Sequence, residues 1–316
     1  MSRLSEISAS PTLREYAQGA AQDAIMPVAD FLAPTVEVAT SVGRFKRYNE
    51  KNRFRIPSTL RTLGGRATEL RFEASDATYN CEPHALDYPV DNLEQLEAEG
   101  LEDMLREGVT AVAEMAALSH ESSVISAALE AVGSGTSKTW NASADPVSDV
   151  DDAILAVIKA AKYGSLMGVG VLFGATAWKI FKNQDKVRGR FVVGNGTGKE
   201  SGKLGLAVPT EQSATQMFIG SPDVRTSYMI YDANPEGKAE SISFLLDASV
   251  LIFARKEAPS RRDPSFMKTF RLMNKFMVPG SYMRDDGRVE VAKFDWSEDV
   301  KVTNSAACVR LNVAAS

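Results

Sequence analysis

The sequence predicts an α+β fold built around a long spine helix, a charged β-ribbon and an α/β lobe. Three observations predict it. Apolar residues recur at three- and four-residue steps between Asp91 and about Ala131. Aromatic residues alternate loosely with bases between residues 44 and 80. Residues 139 to 275 mix helical and strand patterns, and a final run of strands follows. With 316 residues, 44% of them hydrophobic and 24% charged, the chain is long and apolar enough for one large domain or two ordinary ones. Its net charge of −5 argues against a surface that grips nucleic acid all over. The N-terminus shows no basic region followed by an apolar run, so no signal peptide is expected. The most apolar stretch, Gly164 to Trp178, is too short and glycine-rich to span a bilayer, and an intracellular chain without membrane contact is expected.

Residues 1–43 form an arm. Pro11, Pro27 and Pro34 interrupt its helical pieces, and Ile25, Met26, Val28, Phe31, Leu32, Val36 and Val38 lie between the prolines. These apolar residues must rest on the body of the chain or on a neighbouring subunit.

Residues 44–80 read as a two-stranded ribbon. Phe45, Tyr48, Phe54 and Ile56 belong to its outgoing half, Leu63-Gly64-Gly65 lies near the bend, and Glu69 to Thr78 returns. Between 44 and 71, nine bases (Arg44, Lys46, Arg47, Lys51, Arg53, Arg55, Arg61, Arg66 and Arg71) face only Glu50 and Glu69, a net +7. An isolated ribbon is marginal in water and leaves two open edges, so it needs a surface to lie on.

The spine helix is that surface. Asp91 is the predicted N-cap, with Glu94 completing a capping box, and Gly133 and Gly135 are the stop signals. Leu93, Leu101, Met104, Leu105, Gly108, Val112, Met115 and Ala116 form the predicted apolar side. Glu99, Glu102, Asp103, Glu107 and Glu114 fall mostly on the other. At 1.5 Å per residue, an unbroken helix here runs roughly 60 Å. Ten carboxylates against Arg106 leave residues 91–130 at −9. Basic ribbon therefore meets acidic helix. A projecting ribbon cannot easily fold back onto the helix that follows it, so the contact is expected between copies of the chain. The alternative partner for nine bases is nucleic acid.

In the next region, Asp145 to Asp149 opens a helix whose apolar face includes Ile154, Val157, Ile158 and Ala161. Gly168 to Phe173 is a strand, Thr176 to about Lys186 a helix, and Ser227–Asp232 and Ser241–Ala254 are strands. Ser281 to Val313 gives strands with a turn at Asp285-Asp286-Gly287, and these are expected to pack on the spine helix.

Several local patterns suggest chemistry and then fail on spacing. Gly194-Asn-Gly-Thr-Gly-Lys199 is one residue short of a phosphate-binding loop, and Glu200 stands where that loop needs a hydroxyl. The glycines of Gly168-Val-Gly170 lie inside a strand, which fits close packing better than a dinucleotide turn. Asp145, Asp149, Asp151 and Asp152 sit at a helix start, where the helix dipole favours carboxylates without any metal. His84 and His120 have neither metal nor nucleophile spacing, and Cys81 and Cys308 are expected to be reduced and partly buried. No catalytic, cofactor-binding or metal-binding residue is assigned, and no enzyme activity is expected.

The order of parts resembles a tailed-bacteriophage major capsid protein with the Hong Kong 97-type fold, over essentially the whole chain. Leu63-Gly64-Gly65, then Thr78-Tyr79-Asn80-Cys81-Glu82 and Ala85-Leu86, look like the end of that family's extended loop. Trp140 with Asp145-Pro146-Val-Ser-Asp149 looks like the start of its axial-domain helix, and Val171 to Asn183 resembles the strand and helix after it. Where the family often has Pro-Asn before that strand, Val169-Gly170 stand here. The resemblance implies an N-terminal arm (1–43), an extended loop (44–80), a peripheral domain with the spine helix (81–138), an axial α/β domain (139–278) and C-terminal strands returning to the peripheral domain (279–316). It implies hexamers and pentamers tiling an icosahedral head around double-stranded DNA, with the DNA touched non-specifically. It also implies a portal protein at one vertex, a possible decoration protein, and assembly in the host cytoplasm into a virion. Many relatives of this family carry a fused scaffolding region that is cleaved off, but only residues 1–43 precede the ribbon here, so a separate scaffolding protein is expected. Lys46 and Lys51 are the ribbon's only lysines and lie near its base, so no covalent subunit crosslink is expected. The alternatives are an encapsulin-like compartment shell and, from another class, a nucleotide-binding enzyme using Gly194 to Lys199.

Overall fold

Two five-stranded sheets, bridged by one long helix, carry the architecture. The computed structural model describes residues 28–47, 59–60, 75–91, 101–161, 168–190, 209–234, 237–256, 258–261, 263–273, 278–285 and 287–314. The first sheet is organised on a long strand, Val289–Val302. Glu82–Asp91 pairs antiparallel along one edge of it over ten residues. On the other edge Met267–Leu272 and Val278–Met283 pair with it end to end. Thr35–Val38 adds in parallel beside Met267–Leu272. Side chains alternate along this strand: Ala292, Phe294 and Trp296 are buried while Lys293, Asp295 and Ser297 are half-exposed. The base of the ribbon, Val42–Arg47 against Ser75–Asn80, forms a separate antiparallel pair.

The second sheet runs Thr136–Thr139, Cys308–Ala314, Ser249–Arg255, Gly168–Gly174, Asp223–Ser227. Its central strand is buried from Ser249 to Ala254, as expected of a strand covered on both faces. The helix Pro146–Ala161 packs on it through Val150, Ile154 and Val157, and the helix Ala175–Asn183 contributes Trp178 and Phe181. Gly170 sits where a Cβ would lie 2.8 Å from Phe253 and 2.9 Å from Phe31, so the strand glycine does serve close packing.

The spine helix, Leu101–Val132, spans about 48 Å at 1.5 Å per residue. Its buried stripe is Val109, Val112, Ala113, Ala116, Ala117, His120, Glu121, Val124, Ile125 and Ala128. The first half of that stripe packs on Ala292, Phe294 and Trp296 of the first sheet, and Val124, Ile125 and Ala128 enter the core of the second. The alanines let the helix lie close to the strands with no side-chain entropy to lose. Gly133, with φ +68°, ends the helix as its stop signal required.

Some expectations are corrected. Asp91 is the last residue of Glu82–Asp91, paired with Val289, and Glu94, the other half of the expected capping box, lies outside the described residues. Met115 is not on the apolar side but 63% exposed, because the buried stripe runs through Val112, Ala113, Ala116 and Ala117 instead. The helix expected from Thr176 to Lys186 breaks at Gln184, whose ψ of 133° is extended. The strand pattern at 227–232 divides into Asp223–Ser227 and Ile230–Asp232, and that at 241–254 into Ile242–Phe244 and Ser249–Arg255. Asp223–Ser227 and Ser249–Arg255 join the second sheet, while Ile230–Asp232 and Ile242–Phe244 form a separate two-stranded pair. The segment 279–316 also divides. Val289–Val302 belongs to the first sheet and Cys308–Ala314 to the second, and both touch the spine helix. The arm residues Val28, Phe31, Leu32, Val36 and Val38 are buried on the chain's own body. Gly194 to Lys199 lies outside the described residues.

Candidate functional site

The basic ribbon is described at its base. Gly43 opposes Tyr79, and a Cβ on Gly43 would lie 2.3 Å from the Tyr79 hydroxyl, so the fully buried tyrosine occupies the space the glycine leaves. Tyr79 stacks on Phe270 at 4.7 Å, and Phe45 lies 5.1 Å from the same ring. Asn80 N–H donates to Asp299 Oδ2 at 2.7 Å. Three aromatic rings and this bond anchor the ribbon to the first sheet. Arg44 is exposed opposite Thr78, and Lys46 and Arg47 lie on the same strand. Lys51, Arg53, Arg55, Arg61 and Arg66 fall outside the described residues.

On the spine helix, Glu107 and Glu114 are exposed. Glu102 and Asp103 belong to its first turn, and Glu99 lies outside the described residues. Not every carboxylate of the helix faces out. Glu121 is fully buried, and its Oε1 accepts the backbone N–H groups of Val28 at 2.9 Å and Ala29 at 3.0 Å. It thereby caps the short helix Ala29–Leu32 from 92 residues away. Burial raises its pKa above the ordinary value, against the pull of those two amides.

Next to it, His120 Nδ1–H donates to Glu298 Oε1 at 2.7 Å, the carboxylate being able only to accept. Arg271 donates to Glu298 Oε2 at 3.0 Å. Burial works to raise Glu298, but His120 and then Arg271 outweigh it and hold the carboxyl below its usual range. A second buried pair follows where the chain crosses from one sheet to the other. Lys268 Nζ lies 3.2 Å from Asp263 Oδ2, and Ser260 and Ser265 also donate to that carboxylate. Thr303 Oγ1 donates to Phe266 O at the return crossing. Asp263, Ser265, Lys268 and Thr303 are buried at or beside these crossings, and His120 with Glu298 joins the spine helix to the long strand, so directional bonds brace the junction between the lobes. His120 and Glu121 stand on the buried stripe of the helix, which is the one sequence signal that could have marked them. Their partners are too distant in sequence to be read.

The acidic cluster at 145–152 holds separate elements together. Asp149 accepts from Lys138 at 2.6 Å and from Trp140 Nε1 at 2.9 Å, Asp145 pairs with Arg190 at 2.8 Å, and Asp151 accepts Ile219 N–H. Among the described residues no group of three or more His, Cys, Asp or Glu side chains is placed to hold a metal ion. Cys81 and Cys308 are free and buried. His84, which is exposed, stacks on Trp296. No helix among the described residues is long and apolar enough to cross a membrane. Among the described residues, Arg44 is exposed at the base of the ribbon and Glu107 and Glu114 on the spine helix.

No family model matches the chain, and no curated protein matches it by sequence. Solved structures do. A phage-related protein from Bordetella bronchiseptica RB50 superimposes with a TM-score of 0.66 at 16% identity, covering 96% of this chain and 97% of that one. The capsid protein of cyanophage P-SCSP1u gives 0.54 at 10% identity over 90% and 87%. The SrpI encapsulin of Synechococcus elongatus PCC 7942 gives 0.54 at 12% identity over 92% and 88%. The chain therefore has the Hong Kong 97-type capsid fold.

Proposed function

We propose that this chain is the major capsid protein of a tailed bacteriophage, closing as hexamers and pentamers into an icosahedral head around double-stranded DNA. The observation that carries the reading is end-to-end likeness: the two-lobed fold covers 96% of the chain and 97% of a phage-related protein. In this reading the ribbon of one copy lies over the spine helix of the next. Arg44, Lys46, Arg47, Lys51, Arg53, Arg55, Arg61 and Arg66 face Glu99, Glu102, Asp103, Glu107 and Glu114. Exposed ion pairs contribute only about 0.2–1 kcal/mol each and weaken with salt, so charge sets register and apolar burial supplies most of the affinity. The lobe within 139–278 surrounds the capsomer axis, and the strands Thr35–Val38 and Val289–Val302 brace the peripheral domain.

The role is structural, without catalysis. A scaffolding protein guides assembly in the host cytoplasm, a portal protein fills one vertex, and the finished protein resides in the virion, where a decoration protein can bind outside. Purified chain run on a sizing column and viewed by negative stain should give capsomers or shells. A small oligomer that binds ATP would contradict this and favour a nucleotide-binding enzyme.

The likeness to an encapsulin over 92% of the chain supports a second reading, a shell around a protein cargo. Nuclease-protected DNA inside particles from infected cells supports the head, and a co-purifying enzyme in DNA-free particles supports the compartment.

A further inference from the structure

The two most exposed large apolar side chains among the described residues are Leu60, at 91%, and Met115, at 63%. A single exposed apolar residue is ordinary on any protein surface. These two differ in their settings. Leu60 precedes Arg61 within the ribbon of net +7, and Met115 follows Glu114 on the outward side of the acidic helix, about two turns after Glu107. Each is an apolar point in a field of charge that complements the other's. Both are exposed within one copy, so neither covers the other there.

We propose that Met115 is the apolar anchor of the acidic helix face and that Leu60 from the ribbon of a second copy seats on it. This rests on the ribbon-to-helix contact proposed above and names the residues that give that contact its affinity. Leu60 lies 13 residues beyond Arg47, the last paired residue of the outgoing strand, and 15 before Ser75, the first of the return. It is thus near the middle of the intervening chain, and 13 extended residues span at most about 45 Å. Methionine suits the receiving position, because its flexible thioether adapts to the side chain placed on it. The flanking charges then fix the register, and removal of the two apolar side chains from water adds an attraction that salt does not screen.

The test uses the full chain carrying Leu60→Cys and Met115→Cys, with the native Cys81 and Cys308 left in their buried positions. Assembled particles are oxidised mildly and run on a non-reducing denaturing gel. A disulfide forms only where Cα atoms approach within about 7 Å. The double variant is expected to give a ladder of linked copies that reductant collapses to monomer. Either single variant should stay monomeric, and a mixture of the two should give dimers without higher rungs. Particles that show only monomer in both the double variant and the mixture overturn the Leu60–Met115 contact and leave the shell reading intact. Failure of the unmodified chain to form capsomers or shells overturns both. Independently, Met115→Ala should raise the protein concentration needed for assembly by about tenfold, as for loss of an interface anchor. An unchanged threshold counts against the anchor.

Discussion

Glu121 and Glu298 are buried on the same junction, and their titrations act in opposite directions. Glu121 is raised from the ordinary 4.5, so the stability it contributes is present below that value and is lost as pH rises through its folded pKa. Glu298 is lowered from 4.5, so its contribution is present above that value and is lost as pH falls through its folded pKa. Thermal melts of Glu121→Gln should therefore gain on the natural chain as pH rises above 4.5. Melts of Glu298→Gln should close their gap to it as pH falls below 4.5. At neutral pH Glu298→Gln removes the buried carboxylate charge that His120 and Arg271 share and should cost about 3 kcal/mol. Parallel pH profiles for either variant and the natural chain would remove that carboxylate from the junction's pH dependence. At this scale the exposed acids of the helix were legible, because Glu107 and Glu114 lie off the apolar stripe. Glu121 was not, since its partners are backbone amides 92 and 93 residues away, and sequence shows no amide that lacks a bond.

Among the elements, the spine helix and the long strand beside it show where local reading succeeds. The helix stops where Gly133 predicts, and Val289–Val302 follows its alternating pattern. The last strand's place in the second sheet was hidden, because period-two alternation names a strand and not its neighbours. Close approach between elements makes a further prediction. A Cβ at Gly174 would meet the Asp247 backbone oxygen at 2.1 Å, whereas one at Gly108 would meet only the Tyr88 ring. Gly174→Ala should cost about 3 kcal/mol by overpacking against backbone. Gly108→Ala should cost less, since alanine recovers about 1 kcal/mol of helix propensity and a ring can turn aside. Urea melts showing the reverse order would contradict the packing described for these two sites.

Across the whole molecule, the spine helix and two strand crossings join the lobes, and buried polar pairs at those crossings hold their relative orientation. A braced subunit of this kind can present ribbon and helix at a reproducible geometry to other copies. The α+β fold class was legible in the sequence, and it is the fold that the solved neighbours share. The sheet partners were not, because they are set by side chains meeting from opposite ends of the chain. The central claim is that copies join by basic ribbon on acidic helix, and charge exchange tests it most directly. Negative-stain particle yield at low salt would be compared for three chains: Arg53, Arg55 and Arg61 changed to Glu; Glu102, Asp103, Glu107 and Glu114 changed to Arg; and both sets combined. Each reversal alone should leave soluble subunits without particles, and the combined chain should regain them. Normal particles from the ribbon reversal alone, or none from the combined chain while it remains folded, would contradict the claim.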